Sequence, residues 1–158
     1  MGQLGGGVRI LPQNYKVATL MSEKQIYITE LDLKRLKNLI ADAQSSEYRG
    51  SVYLKRLRGE LDRASVVPSQ KIPKTVITMN STVRLIDLET GDPETYTLVY
   101  PEDAEPAAGK ISILAPVGTA MLGYAVGDVF EWEVPAGMRR LKVDDILYQP
   151  EAAGDFDL

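Results

Sequence analysis

The chain has 158 residues, with 18 Lys and Arg against 22 Asp and Glu, and it contains neither His nor Cys. That composition excludes disulfides, thiol nucleophiles, imidazole bases and the zinc sites that thiolates and imidazoles build. Chemistry is left to carboxylates, Lys, Tyr or an oxygen-bound Mg²⁺, or the chain performs none. At 44% hydrophobic and 25% charged, it reads as a soluble globular protein. Its apolar stretches fall short of the ~20 residues that a membrane-spanning helix needs. No apolar run with a small-residue cleavage site opens it. A cytoplasmic protein with no membrane attachment is therefore expected.

Residues 1–24 read as a disordered N-terminal extension. Gly2, Gly5, Gly6 and Gly7 crowd its start. They do not form a phosphate loop, because no Gly-Lys-Ser/Thr follows. A short strand at 8–11 is the alternative, and Met21 offers a second plausible start.

Residues 25–66 predict a short antiparallel helical hairpin. Thr29 can cap the first helix, with Asp32 at the acid position of a capping box. Leu33, Leu36, Ile40 and Ala43 recur at 3-4-3 spacing, and so do Leu54, Leu57, Leu61 and Ala64. Each set is one apolar seam on a helix. The polar stretch QSSEYRG (44–50) joins the two. Gly59 inside the second helix costs up to ~1 kcal/mol relative to Ala.

Pro68 and Pro73 mark 67–74 as a linker. Residues 75–158 then predict a small domain with a five- or six-stranded antiparallel sheet. Strands are expected at 75–79, 82–88, 95–100, 111–114, 129–134 and 139–148. Pro116 and Gly123 bracket a short helix. The expected core is Val76, Ile77, Val83, Leu85, Leu98, Ile113, Leu114, Leu122, Val129, Phe130, Trp132, Leu141, Val143 and Ile146. The fold class is α+β.

Charge divides unevenly. Residues 1–74 carry 13 Lys and Arg against 7 Asp and Glu, whereas 75–158 carry 5 against 15. The acidic half is a poor binder of DNA or RNA, since phosphate contact needs Lys and Arg. Lys34, Arg35, Lys37, Lys55, Arg56, Arg58 and Arg63 make the helical half basic. That basic face is either a solvated helix surface or a contact surface for an acidic protein.

Four short motifs follow one another in the second half: Ala115-Pro116-Val117-Gly118, Ala120-Met121-Leu122-Gly123, Val126-Gly127-Asp128 and Pro135-Ala136-Gly137. Each alone is only a turn. In this order and spacing they resemble the C-terminal domain of the GreA/GreB transcript cleavage factors. The segments ITELDLKRL (28–36), GELDRA (59–64), ITMNSTVRL (77–85), TLVYP (97–101) and YQPEAAGDFDL (148–158) resemble the shorter, Rnk-like members of that family. The resemblance covers about Gln25 to Leu158.

The resemblance implies an antiparallel coiled coil followed by an FKBP-like sheet domain. It further implies a bacterial RNA polymerase partner, with the sheet domain docked at the rim of the secondary channel. Cleavage factors deliver acidic residues at the coiled-coil tip to a catalytic Mg²⁺. Here a first helix over 29–44 would span ~24 Å at ~1.5 Å per residue, about half of what those factors use. Asp42 and Glu47 are the acids nearest the tip. They do not match the family's paired-acid motif, so no catalytic residue, cofactor or metal is assigned.

Expected polymerase contacts are Glu47, Tyr48, Arg49, Tyr53, Lys55 and Arg56 around the tip, with Pro116, Val117 and Gly118 on the sheet domain. The expected function is a monomeric, non-enzymatic regulator of transcription elongation. It would occupy the secondary channel and compete with cleavage factors. A true cleavage-stimulating factor is the alternative, and an FKBP-like prolyl isomerase the second. An influence on nucleoside diphosphate kinase, the role in the Rnk-like name, would be regulatory rather than phosphoryl transfer.

Overall fold

A computed structural model describes residues 25–43, 49–134 and 137–158, the side chains of 132–134 excepted. The expectations for residues 1–24 and for the Trp132 side chain lie outside the described residues.

The chain enters through β1 (Tyr27–Thr29), which leads directly into α1 (Glu30–Ala43). Thr29 caps that helix: the Asp32 N–H donates to Thr29 Oγ1 at 3.0 Å, satisfying one of the donors that a helix start leaves open. Ser51 does the same for α2 (Val52–Arg63), accepting from the Tyr53 N–H at 3.2 Å. Both apolar seams are buried as their spacing requires, through Leu36, Ile40 and Ala43 on α1 and Leu54, Leu57 and Leu61 on α2. After α2 the chain returns as β2 (Ser65–Val67), which pairs in parallel with β1, Tyr27 opposite Ser65 and Thr29 opposite Val67. The helix pair therefore leaves from and returns to one root. Sequence patterning shows neither three-residue strand, since three residues are too few to display a period.

The remaining strands form one sheet. They are β3 (Thr82–Asp87), β4 (Pro93–Val99), β5 (Lys110–Ser112), β6 (Val129–Val134) and β7 (Gly137–Tyr148), in the order β5-β4-β3-β7-β6. The pairs β3–β4, β3–β7 and β6–β7 are antiparallel, but β4–β5 is parallel. The expectation of a wholly antiparallel sheet is corrected at that edge. Two 3₁₀ turns, Pro101–Asp103 and Pro106–Ala108, carry the chain back before β5 begins. Gly109 closes the second in the left-handed region, φ +76°.

Residues 75–79 are not a sheet strand. Only Val76 bridges, to Ala125. The chain turns there: the Ser81 N–H donates to the Thr78 carbonyl at 3.1 Å, and Asn80 takes φ +67°. Val76, Ile77 and Met79 are nevertheless buried.

Two further helices complete the fold, α3 (Pro116–Met121) and α4 (Pro150–Ala153). One hydrophobic cluster runs from Leu36, Ile40, Leu57 and Leu61 on the helices to Ile77, Leu85, Leu98, Ile113, Phe130 and Leu141 on the sheet side. Of the expected core, Val129 is 46% exposed. It lies on the edge strand β6, opposite Lys142, and alternation turns it outward because Phe130 points in.

Candidate partner-binding surface and the helix–sheet junction

The far end of the helix pair holds most of the residues that the sequence singles out. Asp42 is exposed near the end of α1, and Arg49 is exposed just before α2. Gly50 turns the chain there at φ +84°. Tyr53 and Arg56 are half-buried on the first turns of α2, and Lys55 is exposed. Arg49, Tyr53, Lys55 and Arg56 thus belong to the start of α2 or the turn before it, at the end of the helix pair where α1 finishes after Asp42. Glu47 and Tyr48 lie outside the described residues. Among the described residues no group of three or more Asp or Glu is placed to hold a metal ion.

Pro116, Val117 and Gly118 belong to a different element, α3, which packs against α2. Pro116 and Val117 are half-buried, but Gly118 is buried. A Cβ at Gly118 would stand 2.2 Å from the Ser112 carbonyl oxygen and 3.2 Å from Ile113 Cα. The helix is further tied to that segment by Thr119 Oγ1, which donates to the Ile113 carbonyl at 2.6 Å. This glycine is where α3 and the β5 segment touch backbone to backbone.

The turns of the other motifs also have local causes. Gly123 takes φ +82°, and its missing Cβ would stand 2.7 Å from Ile26 Cβ, so the strand root packs directly on it. Asp128 accepts from the Ala125 N–H at 2.8 Å and closes the Val-Gly-Asp turn.

A second constellation lies where α1 meets the sheet side. Asp32 is 2% exposed. Its Oδ2 accepts from the Met79 N–H at 3.1 Å. Thr78 Oγ1 donates to Glu151 Oε1 at 2.7 Å and stands 2.9 Å from Ser81 Oγ. The Arg35 guanidinium lies 5.9 Å over the Tyr100 ring and donates to the Asp157 carbonyl at 3.3 Å. The Tyr100 hydroxyl is buried without a hydrogen-bond partner among the described residues.

Burial pushes the Asp32 carboxyl up to about 7; the Met79 N–H and Arg35 oppose that rise, and Glu151 adds to it. Burial likewise raises the Tyr100 phenol, which faces both Asp32 and Arg35. Sequence reasoning assigned Asp32 only a capping place. Its true partners lie 47 residues and more downstream, and no local pattern reports them.

The sheet carries one further ion-pair cluster. Arg139 donates to Asp87 Oδ2 at 2.7 Å and also bonds Glu94, to which Tyr96 donates at 2.7 Å. An open groove of about 740 Å³ beside β4 is lined by Asn80, Thr82, Thr97, Glu102, Lys110 and Tyr148 among others. Its lining is mostly polar.

Comparison with known proteins bears on most of the chain from residue 24 onward. Residues 72–148 match the family model for the C-terminal region of the transcription elongation factors GreA/GreB, and residues 24–67 match the model for the Rnk N-terminus. The regulator of nucleoside diphosphate kinase of Escherichia coli (strain K12) is 40% identical over 137 residues, covering 86% of this chain and 98% of that protein. Transcription elongation factor GreA of Solidesulfovibrio magneticus is 35% identical over 100 residues, covering 63% of this chain and 61% of that protein. Among solved structures, a prokaryotic transcription elongation factor GreA/GreB from Nitrosomonas europaea superposes with a TM-score of 0.67 at 42% identity, covering 78% of this chain and all of that one.

Proposed function

The chain belongs to the family of the regulator of nucleoside diphosphate kinase, and on that premise we propose that it binds bacterial RNA polymerase and regulates transcription elongation. It docks at the secondary channel and competes there with cleavage factors without catalysing cleavage. In this reading residues 25–66 are a short antiparallel coiled-coil hairpin, 67–74 a linker and 75–158 an FKBP-like docking domain. The protein acts as a cytoplasmic monomer; among the described residues no helix is long and apolar enough to cross a membrane.

The observation that supports a non-catalytic role is length. The 14 residues of α1 and the 12 of α2 reach ~21 Å and ~18 Å at ~1.5 Å per residue. That is enough to enter a channel mouth and too little to carry a carboxylate to a distant catalytic centre. Arg49, Tyr53, Lys55 and Arg56 supply a cationic and aromatic end for an acidic protein surface, with Lys55 giving electrostatic steering. The half-buried Pro116 and Val117 are the accessible part of the α3 contact, with Gly118 holding their helix in place from beneath.

A transcript cleavage assay on backtracked polymerase complexes tests this. The chain alone leaves the transcript intact, and added to a cleavage factor it slows cleavage as its concentration rises. Cleavage by the chain alone, lost in Glu47→Ala, would establish the cleavage-factor alternative. The isomerase alternative calls for an aromatic-lined apolar pocket, unlike the polar groove beside β4. Turnover of a proline-containing peptide would establish it instead.

A further inference from the structure

An acid in the first turn of a helix is ordinarily ionised and exposed, where it complements the helix dipole. Asp32 is neither exposed nor surrounded by cations. The groups that face it are the Glu151 carboxylate from α4, the Tyr100 hydroxyl after β4, the Met79 N–H, Arg35 from its own helix and the Thr29 hydroxyl at the end of β1. Arg35 is directed elsewhere, over the Tyr100 ring and to the Asp157 carbonyl. Glu151 already has a donor in Thr78 and is half-exposed.

An ionised Asp32 would set a second carboxylate toward Glu151 in a place that water does not reach. The Met79 N–H and the Thr29 hydroxyl give two donors to two buried oxygens that can accept about four hydrogen bonds. A neutral carboxyl keeps the Met79 bond and has an O–H to give. The buried Tyr100 hydroxyl faces this carboxyl as well as the Arg35 guanidinium.

We propose that Asp32 is the positioning residue of the helix pair, holding α1 to the Thr78–Ser81 turn as a neutral carboxylic acid. The rise of its carboxyl to about 7 through burial agrees with this. The sign follows from linkage. The closed junction keeps the proton up to about pH 7, whereas an opened one releases it near the ordinary 3.8. Opening therefore becomes easier by about tenfold per pH unit between roughly 4 and 7, and levels off above neutrality. The junction is firmest in acid.

Two measurements on the free full-length chain test this independently of any polymerase. The first is a carbon-13 titration of the Asp32 carboxyl, read with hydrogen exchange of the Met79 amide after correction for intrinsic rates. The expected midpoint is near 7. Met79 protection should fall at least tenfold from pH 5 to 7 in the wild type and stay level in Asp32→Asn. A midpoint in the ordinary carboxylate range, or an equal fall in Asp32→Asn, overturns the assignment. If that variant does not fold, the wild-type midpoint alone decides.

The second measurement uses nitroxide labels at Asn38→Cys and Thr95→Cys, both exposed positions in a chain without native cysteine. The label-to-label distance should be narrow in the wild type and in Asp32→Asn, and broad in Asp32→Ala. An Asp32→Ala distribution as narrow as the wild type would remove the positioning role.

Discussion

Gly118→Ala separates packing from partner contact at the α3 motif. The added methyl would meet the Ser112 carbonyl oxygen at 2.2 Å and its carbon at 3.0 Å, so something must move by about 1 Å to reach ordinary contact. No flexible side chain can yield, because the obstacle is backbone. Ser112 is paired with Val99 in the β4–β5 ladder, and its carbonyl accepts the Ala115 N–H at 2.9 Å. Overpacking of this kind costs roughly 1–3 kcal/mol and sometimes more. A weakened turn hydrogen bond adds about 1, and the better helix propensity of Ala returns up to about 1. The balance is a loss of about 1–4 kcal/mol, or roughly 2–16 °C in melting temperature for a chain of this size. Urea unfolding followed by circular dichroism measures it, with the midpoint falling and the slope unchanged. A loss below about 0.5 kcal/mol would refute the backbone-contact argument. The motif would then owe its glycine to something outside the folded chain.

Gly123→Ala should cost at least as much as a strained φ alone, about 1–3 kcal/mol, since its methyl also meets Ile26. Ile26→Ala should cost about 2–4 kcal/mol by itself. The double variant should fall short of the sum by at least ~0.5 kcal/mol in a thermodynamic cycle, because one change makes room for the other. Arg139 and the Glu89 N–H hold the Asp87 carboxyl below its ordinary value, so this contribution is present above the usual carboxylate range and is lost as pH falls through the lowered value. Asp87→Asn should accordingly flatten the acid limb of a stability–pH curve, read by thermal melts. Lys55→Glu should leave the fold intact, since Lys55 is exposed, and weaken competition at a polymerase severalfold at low salt and less at high salt. Equal weakening at every salt concentration would rule out steering.

The sequence made the two helices legible because their apolar seams repeat over three turns and more, and a hydroxyl stands before each. Thr29 and Ser51 both cap in the structure, although the pattern pointed only to the first. The long strands were legible for the same reason: β3 and β7 alternate, and Leu85, Leu141 and Val143 are buried as the alternation requires. What sequence could not show was set by distance along the chain. The β1–β2 pairing joins segments about forty residues apart through strands too short to show a period. The parallel pairing of β5 depends on two proline-led turns reversing the chain. Val129 looked like core by composition, yet an edge strand has only one face to bury. Among the contact candidates, Gly118 is the instructive case. Resemblance placed it at a partner surface, while its geometry gives it an internal role that by itself explains a glycine.

The segments that resemble known relatives fall into two physical groups. Gly118, Gly123 and the Val126-Gly127-Asp128 turn shape the sheet side, and each has a local steric or hydrogen-bonding cause. The other group consists of Asp32 and Arg35 in ITELDLKRL, Thr78, Met79 and Ser81 in ITMNS, Tyr100 in TLVYP, and Glu151 and Asp157 in YQPEAAGDFDL. These are scattered over more than a hundred residues, yet they meet at one place, where α1 joins the sheet side. Their shared effect is not the fold of either part but the fixed relation between them. On the function proposed above, a short arm that only occupies a channel mouth cannot search for a distant target, so its direction must be set before it arrives. A chain with its turn motifs intact and this junction broken should therefore keep its sheet, measured by protected β3 and β7 amides, and lose its ability to compete. Competition retained by such a chain would mean that the arm's direction is imposed by the partner instead.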